Sequence, residues 1–96
     1  MQLVEGKYQV GGVDLLDICK EFDTPLYVYD CDKITSQYKE LLNAFSKVKV
    51  KINYACKALT NINVLKVLNE LGAGLDTVSI QEVQIGLKAG FAPEDI

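Results

Sequence analysis

Apolar and polar residues alternate with a period of two over residues 47–54. Val48, Val50, Ile52 and Tyr54 interleave with Lys47, Lys49, Lys51 and Asn53. Such alternation predicts a strand with one apolar face. Upstream, Ile34, Tyr38, Leu41, Leu42 and Phe45 fall on one face of a 3.6-residue repeat, which predicts an amphipathic helix with Asp32 as its N-cap. Downstream, Ile62, Leu65, Leu68 and Leu71, with Val64 and Val67, give a wide apolar helical face. Thr60 or Asn61 opens that helix and Gly72 ends it. The run "AGLDTVS" then predicts a short buried strand, and Ser79 with Glu82 forms the S-x-x-E box that starts a helix ending near Gly90. "FAPEDI" leads away from it, with another strand as one continuation.

The N-terminal residues follow a different plan. "GKYQVGGVDL" predicts a strand, a Gly-Gly turn and a returning strand. Asp14 caps a helix through about Phe22, with Leu15, Ile18, Cys19 and Phe22 on one face. "DTP" stops this helix, because a residue before proline avoids the helical region. "LYVYD", 26–30, is rich in strand formers and predicts a strand.

From residue 50 onward the order is strand, helix, strand, helix. Strands alternating with helices predict parallel βα units, with a right-handed crossover if both strands share a sheet. A complete (β/α)8 barrel needs about 250 residues, so a 96-residue chain holds only the first units or forms a very small α/β domain. The stop after Ile96 favours the first alternative. Its unpaired strand edges and half-covered helices predict that the chain folds poorly alone.

Composition narrows the function classes. A net charge of -3 argues against nucleic acid, which needs clustered cations. No apolar run approaches the roughly 20 residues of a membrane span, and the N-terminus lacks the basic start and apolar stretch of a signal peptide. The three cysteines are odd in number and in no C-x-x-C pair, which predicts reduced thiols in a cytoplasm. No histidine is present, so Ser-His and Cys-His catalysis are excluded within these residues and no metal site is expected.

Lys57, in "YACKAL", follows a predicted strand and precedes a predicted helix, the catalytic edge of a βα barrel. Two readings stand. Packed among apolar neighbours, its amine would lose charge and become a nucleophile toward a carbonyl. Alternatively, it is a strand-end lysine whose stem lies along apolar surface. Asp76 ends the next apolar strand, where it either faces the same mouth as Lys57 or bonds turn amides. The capping box accounts for Ser79 and Glu82 without a ligand. Cys56 points away from Lys57 and reads as a packed thiol. Glycines 72, 74, 86 and 90 form neither a P-loop nor a G-x-G-x-x-G fingerprint.

"TPLYVYD", "YACKAL" with Asn61 and Asn63, "LGAGLDTVSIQEVQIGLKAG" and "APEDI" occur in that order. Together they resemble the front of the alanine racemase-like, fold type III pyridoxal-phosphate enzymes, and within that group the diaminopimelate decarboxylase branch. The resemblance covers nearly the whole chain. It implies an α/β fold, the first βα units of a (β/α)8 barrel over 30–96, preceded by a segment, 1–29, that packs with a C-terminal β-domain. It implies pyridoxal 5'-phosphate as cofactor. Lys57 matches the lysine joined covalently to it, Asp76 an acid near it, Ala55 a small residue lining its pocket, and Glu82 an acid close to that pocket. It also implies a cytoplasmic homodimer that decarboxylates meso-diaminopimelate to L-lysine, with this chain an inactive N-terminal portion. "SIQEV" departs from the "SGGEL" of many relatives, placing Ile80 and Gln81 where they carry two glycines. Other decarboxylases of the group, acting on D-ornithine, D-lysine or carboxynorspermidine, remain open, as do a non-catalytic pyridoxal-phosphate-binding barrel and a purely structural α/β domain.

Overall fold

Two-residue turns start the fold. In the computed structural model, which describes residues 1–96, Glu5 and Gly6 have φ of 49° and 77°, and Gly11 and Gly12 have 56° and 79°. Two successive positive φ angles are what a tight hairpin requires. They join β1 (Gln2–Val4), β2 (Lys7–Val10) and β3 (Val13–Asp14) into an antiparallel sheet of order β1-β2-β3. Leu3 pairs with Tyr8, and Val10 with Val13. β1 is an addition to the expected hairpin. Asp14 caps α1 (Leu15–Phe22) as expected, its Oδ1 accepting from the Leu16 N–H at 2.8 Å.

The "LYVYD" strand does not form. Residues 26–30 join no ladder, and Tyr27 is 88% exposed. Strand propensity reports fit to a pleated surface, and these residues have no neighbouring strand to supply one. The cap of α2 (Cys31–Ala44) is Asp30, not Asp32. Asp30 Oδ1 accepts from the Lys33 N–H at 3.0 Å and its carbonyl from the Ile34 N–H at 3.0 Å. Asp32 sits in the first turn, where its charge favours the helix N-terminus.

The chain divides into two units, Met1–Ile34 and Thr35–Ile96. In the second, β4 (Asn53–Ala55) and β5 (Gly74–Asp76) form a parallel pair joined through α3 (Ile62–Glu70) and followed by α4 (Ile80–Ala89). The Gly74 N–H also donates to the Ile52 carbonyl at 2.9 Å. The alternating run is therefore a strand only at its end, because β5 is too short to pair with residues 48–51. Val48 and Val50 stay exposed. "FAPEDI" makes a 3₁₀ turn, Pro93–Asp95, and not a strand; proline at its start sets the required φ.

Asn61 caps α3, its Oδ1 accepting from Asn63 and Val64. Gly72, at φ 85°, ends it: the Ala73 N–H reaches the Leu68 carbonyl and the Gly72 N–H the Asn69 carbonyl. That is the Schellman pairing, which needs a left-handed residue. Gly90, at φ 99°, ends α4 with the same pair of bonds, to Gly86 and Leu87. The buried residues are Cys56, Val64, Leu65, Leu68, Ala73, Leu75, Ala89 and Phe91. The result is a mixed α/β arrangement whose core is built from β5, the two helices and their flanking turns.

Candidate active site

Parallel pairing in register sets the site. Asn53, Tyr54 and Ala55 of β4 pair with Gly74, Leu75 and Asp76 of β5. Successive strand residues face opposite sides, so Ala55 and Asp76 share one face and Tyr54 and Leu75 the other. Leu75 is 2% exposed, on the side covered by α4, whereas Asp76 is exposed. The two strands thus present an open face that ends in a small side chain beside a carboxylate.

Beyond Ala55 the chain enters a 3₁₀ turn, Cys56–Ala58. With about three residues per turn, neighbouring side chains diverge sharply: Cys56 is fully buried and Lys57 exposed. Of the two readings of Lys57, the one that packs it among apolar neighbours is not met, because the residue is exposed on this turn. Tyr54 closes the turn from beneath, its hydroxyl donating to the Leu59 carbonyl at 3.3 Å. Cys56 is the packed thiol that its place in the sequence suggested. Burial pushes its pKa up, and the Glu82 charge adds to that.

Glu82 makes the capping box with a shift of one residue. The Glu82 N–H donates to Ser79 Oγ at 3.2 Å, while Glu82 Oε2 accepts from the Val78 N–H at 2.8 Å. Its carboxylate therefore braces the turn between Asp76 and α4. Ile80 and Gln81, which stand where many relatives carry glycine, are exposed in the first turn of α4. The structure thus pairs Ala55 with Asp76, sets Lys57 two residues beyond Ala55, and gives Glu82 a structural bond.

One residue that the sequence placed only on the polar side of a strand also belongs to this face. Asn53 shares it with Ala55, and a methyl group built on Gly74 would overlap Asn53 Oδ1 and approach Lys51 Cε to 3.0 Å. The asparagine side chain occupies the space that glycine leaves. Its signal was an amide in a row of lysines.

Pyridoxal phosphate offers an aldehyde, a pyridine nitrogen and a phosphate. The aldehyde end fits this face: Lys57 presents an exposed primary amine, Asp76 an exposed carboxylate, and Ala55 leaves space beside them. The other two ends find no dedicated partner, and the chain contains no arginine. No three cysteine, aspartate or glutamate side chains gather to hold a metal ion. No helix is long and apolar enough to cross a membrane.

Residues 31–96 match the family model described as "Pyridoxal-dependent decarboxylase, pyridoxal binding domain". The chain is 42% identical over 94 residues to a diaminopimelate decarboxylase of Methanothermobacter thermautotrophicus, covering 96% of this chain and 22% of that protein. It is 42% identical over 80 residues to one of Helicobacter pylori, covering 83% of this chain and 20% of that protein. It is 37% identical over 93 residues to one of Bacillus subtilis, covering 95% and 21%. The chain thus spans about a fifth of the length of the curated relatives it matches. With the matched domain containing both strands of the open face and the turn that bears Lys57, the chain belongs to the pyridoxal-dependent decarboxylase family.

Proposed function

We propose that this chain supplies the covalent anchor for pyridoxal 5'-phosphate in a decarboxylase that converts meso-diaminopimelate to L-lysine and CO2. The observation that carries the reading is the exposed Lys57 amine on the turn after β4, inside the matched pyridoxal-binding residues. When bound, the cofactor withdraws the electrons left behind as the substrate loses its carboxylate. Lys57 would hold the cofactor through its Nζ. Asp76, exposed and across the ladder from Ala55, orients the amine and holds a proton beside it. Ala55 keeps the wall flat enough for a ring to approach. Glu82 holds the turn that follows Asp76.

In the same reading, residues 30–96 begin a (β/α)8 barrel, residues 1–29 pack with a β-domain, and the enzyme works as a homodimer. The chain alone is inactive, because the phosphate and pyridine nitrogen find no partner in it. The three free cysteines accord with a reducing, cytoplasmic setting. The identity with diaminopimelate decarboxylases supports the choice of substrate.

The test is direct. The protein is incubated with pyridoxal phosphate, reduced with borohydride and digested. The label should fall on Lys57, and Lys57→Ala should abolish it while leaving the circular dichroism spectrum unchanged. In the full-length enzyme, release of CO2 should be faster from meso-diaminopimelate than from D-ornithine, D-lysine or carboxynorspermidine. Label on another lysine, or none, overturns the anchor; faster release from another amino acid overturns the substrate.

A further inference from the structure

Lys57 sits in the middle of a single 3₁₀ turn, Cys56–Ala58, closed by the Leu59 N–H donating to the Cys56 carbonyl at 3.1 Å. A lone turn fixes several backbone angles for one hydrogen bond, which is unfavourable by itself, and 3₁₀ bonds are less well aligned than those of an α-helix. Lys57 is exposed, so the backbone of this turn sets where its stem leaves the chain. The turn therefore needs support beyond its own bond if the lysine is to stay in one place.

That support comes from the strand before it. The Tyr54 hydroxyl donates to the Leu59 carbonyl at 3.3 Å. Leu59 is thus tied at both of its backbone groups, its N–H to the first residue of the turn and its carbonyl to β4. The two bonds bracket residues 56–58. Tyr54 and Leu59 are half-buried and Cys56 is fully buried, which limits the water that competes for the bond. Tyr54 also lies on the face of β4 opposite Ala55, so its hydroxyl serves the turn and leaves the open face to Ala55 and Asp76. We propose that Tyr54 is a positioning residue: its hydroxyl, bonded to the Leu59 carbonyl, holds the turn closed and so fixes the point from which Lys57 reaches the cofactor aldehyde. The inference rests on the proposed cofactor site and adds to it a residue that touches neither cofactor nor substrate.

Tyr54→Phe removes the hydroxyl and keeps the ring, and the full-length enzyme allows two readings of it. The first needs no cofactor. Exchange of the Leu59 amide should quicken about fivefold, the effect of one neutral hydrogen bond on a local opening, while the Gly74 amide, which donates to the Ile52 carbonyl, keeps its rate. The second compares two ligands. Pyridoxal phosphate has the aldehyde that a lysine captures; pyridoxamine phosphate has the same ring and phosphate without it. Capture needs the amine held within reach, whereas the contacts to ring and phosphate do not involve Lys57. Tyr54→Phe should weaken retention of pyridoxal phosphate by about twofold to fivefold, since apparent affinity falls with the fraction of turns in place, and leave that of pyridoxamine phosphate unchanged. Equal weakening of both ligands would mean that the tyrosine only supports the fold, and overturns the inference. Unchanged exchange at Leu59 overturns it as well, as does wild-type retention of pyridoxal phosphate. If borohydride fails to label Lys57 in the wild-type enzyme, the cofactor site falls and takes this inference with it. If the label is there and Tyr54→Phe matches the wild type, only the role of Tyr54 falls.

Discussion

Gly86→Ala tests how tightly α4 sits on β5. A β-carbon at Gly86 would lie 2.5 Å from Leu75 Cδ2 and 3.3 Å from Ile96 Cδ1. Carbon atoms rest about 3.5–4.0 Å apart, so the leucine tip must withdraw by about 1 Å. Leu75 is 2% exposed, so its tip has little room to move away. Overpacking of this kind costs about 1–3 kcal/mol. Replacing a helical glycine by alanine contributes about 0.8–1.0 kcal/mol in the other direction. The net expectation is a loss of about 1 kcal/mol, read as a lower urea midpoint at unchanged slope. Leu75→Ala removes the obstacle, so in that background Gly86→Ala should stabilise the protein by about 1 kcal/mol. An increase in stability on Gly86→Ala in the wild-type background, or the same change in both backgrounds, would refute the close approach.

Three further outcomes are expected. Asn61→Ala removes the acceptor for two N–H groups at the start of α3 and should cost about 1 kcal/mol in urea unfolding; a change within error would show that another group caps the helix. Cys31 is exposed and Cys56 buried with its thiol pKa raised by burial and by Glu82, so a thiol reagent at mildly alkaline pH should modify Cys31 first; equal rates would contradict the packing of Cys56. The Lys33 N–H, with the α-ammonium of Met1, holds the Asp30 carboxyl below its ordinary 3.8. A lowered carboxyl pKa stabilises the fold above the unfolded value and loses that contribution as pH falls through the folded one. Asp30→Asn should therefore flatten the loss of stability below about pH 4, and an unchanged acid limb in unfolding against pH would rule this out.

Much of the fold is local and was readable as such. The caps at Asp14, Asn61 and Ser79 and the stops at Gly72 and Gly90 follow from side chains bonding their own neighbours, so sequence carries them almost completely. The two strands missed or shortened failed for one reason. "LYVYD" and residues 48–52 have strand-forming sequences, but a strand exists only where another strand meets it, and pairing partners are not written next to one another. Asp30 and Asp32 are both plausible caps by type; only the path of the backbone into the first turn chooses between them.

The candidate site divides in the same way. Lys57, Ala55, Asp76 and Glu82 could be singled out because their motifs are contiguous. That Ala55 and Asp76 stand opposite each other is a matter of register across a crossover, which no spacing along the chain reveals. The exposure of Lys57 depends on a 3₁₀ turn that shifts it a third of a circle from Cys56. Asn53 was hidden in the alternation of its strand, and only its contact with Gly74 separates it from the lysines around it.

Every buried side chain of the protein lies between Cys56 and Phe91. The antiparallel sheet and α1 contribute none. Resistance to local opening grows with buried apolar contact, so the N-terminal sheet frays at little cost while the segment from β4 through α4 opens only when the whole core does. Among these 96 residues the segment from β4 through α4 therefore shelters its own amides from exchange, whereas the N-terminal sheet does so only where another surface covers it.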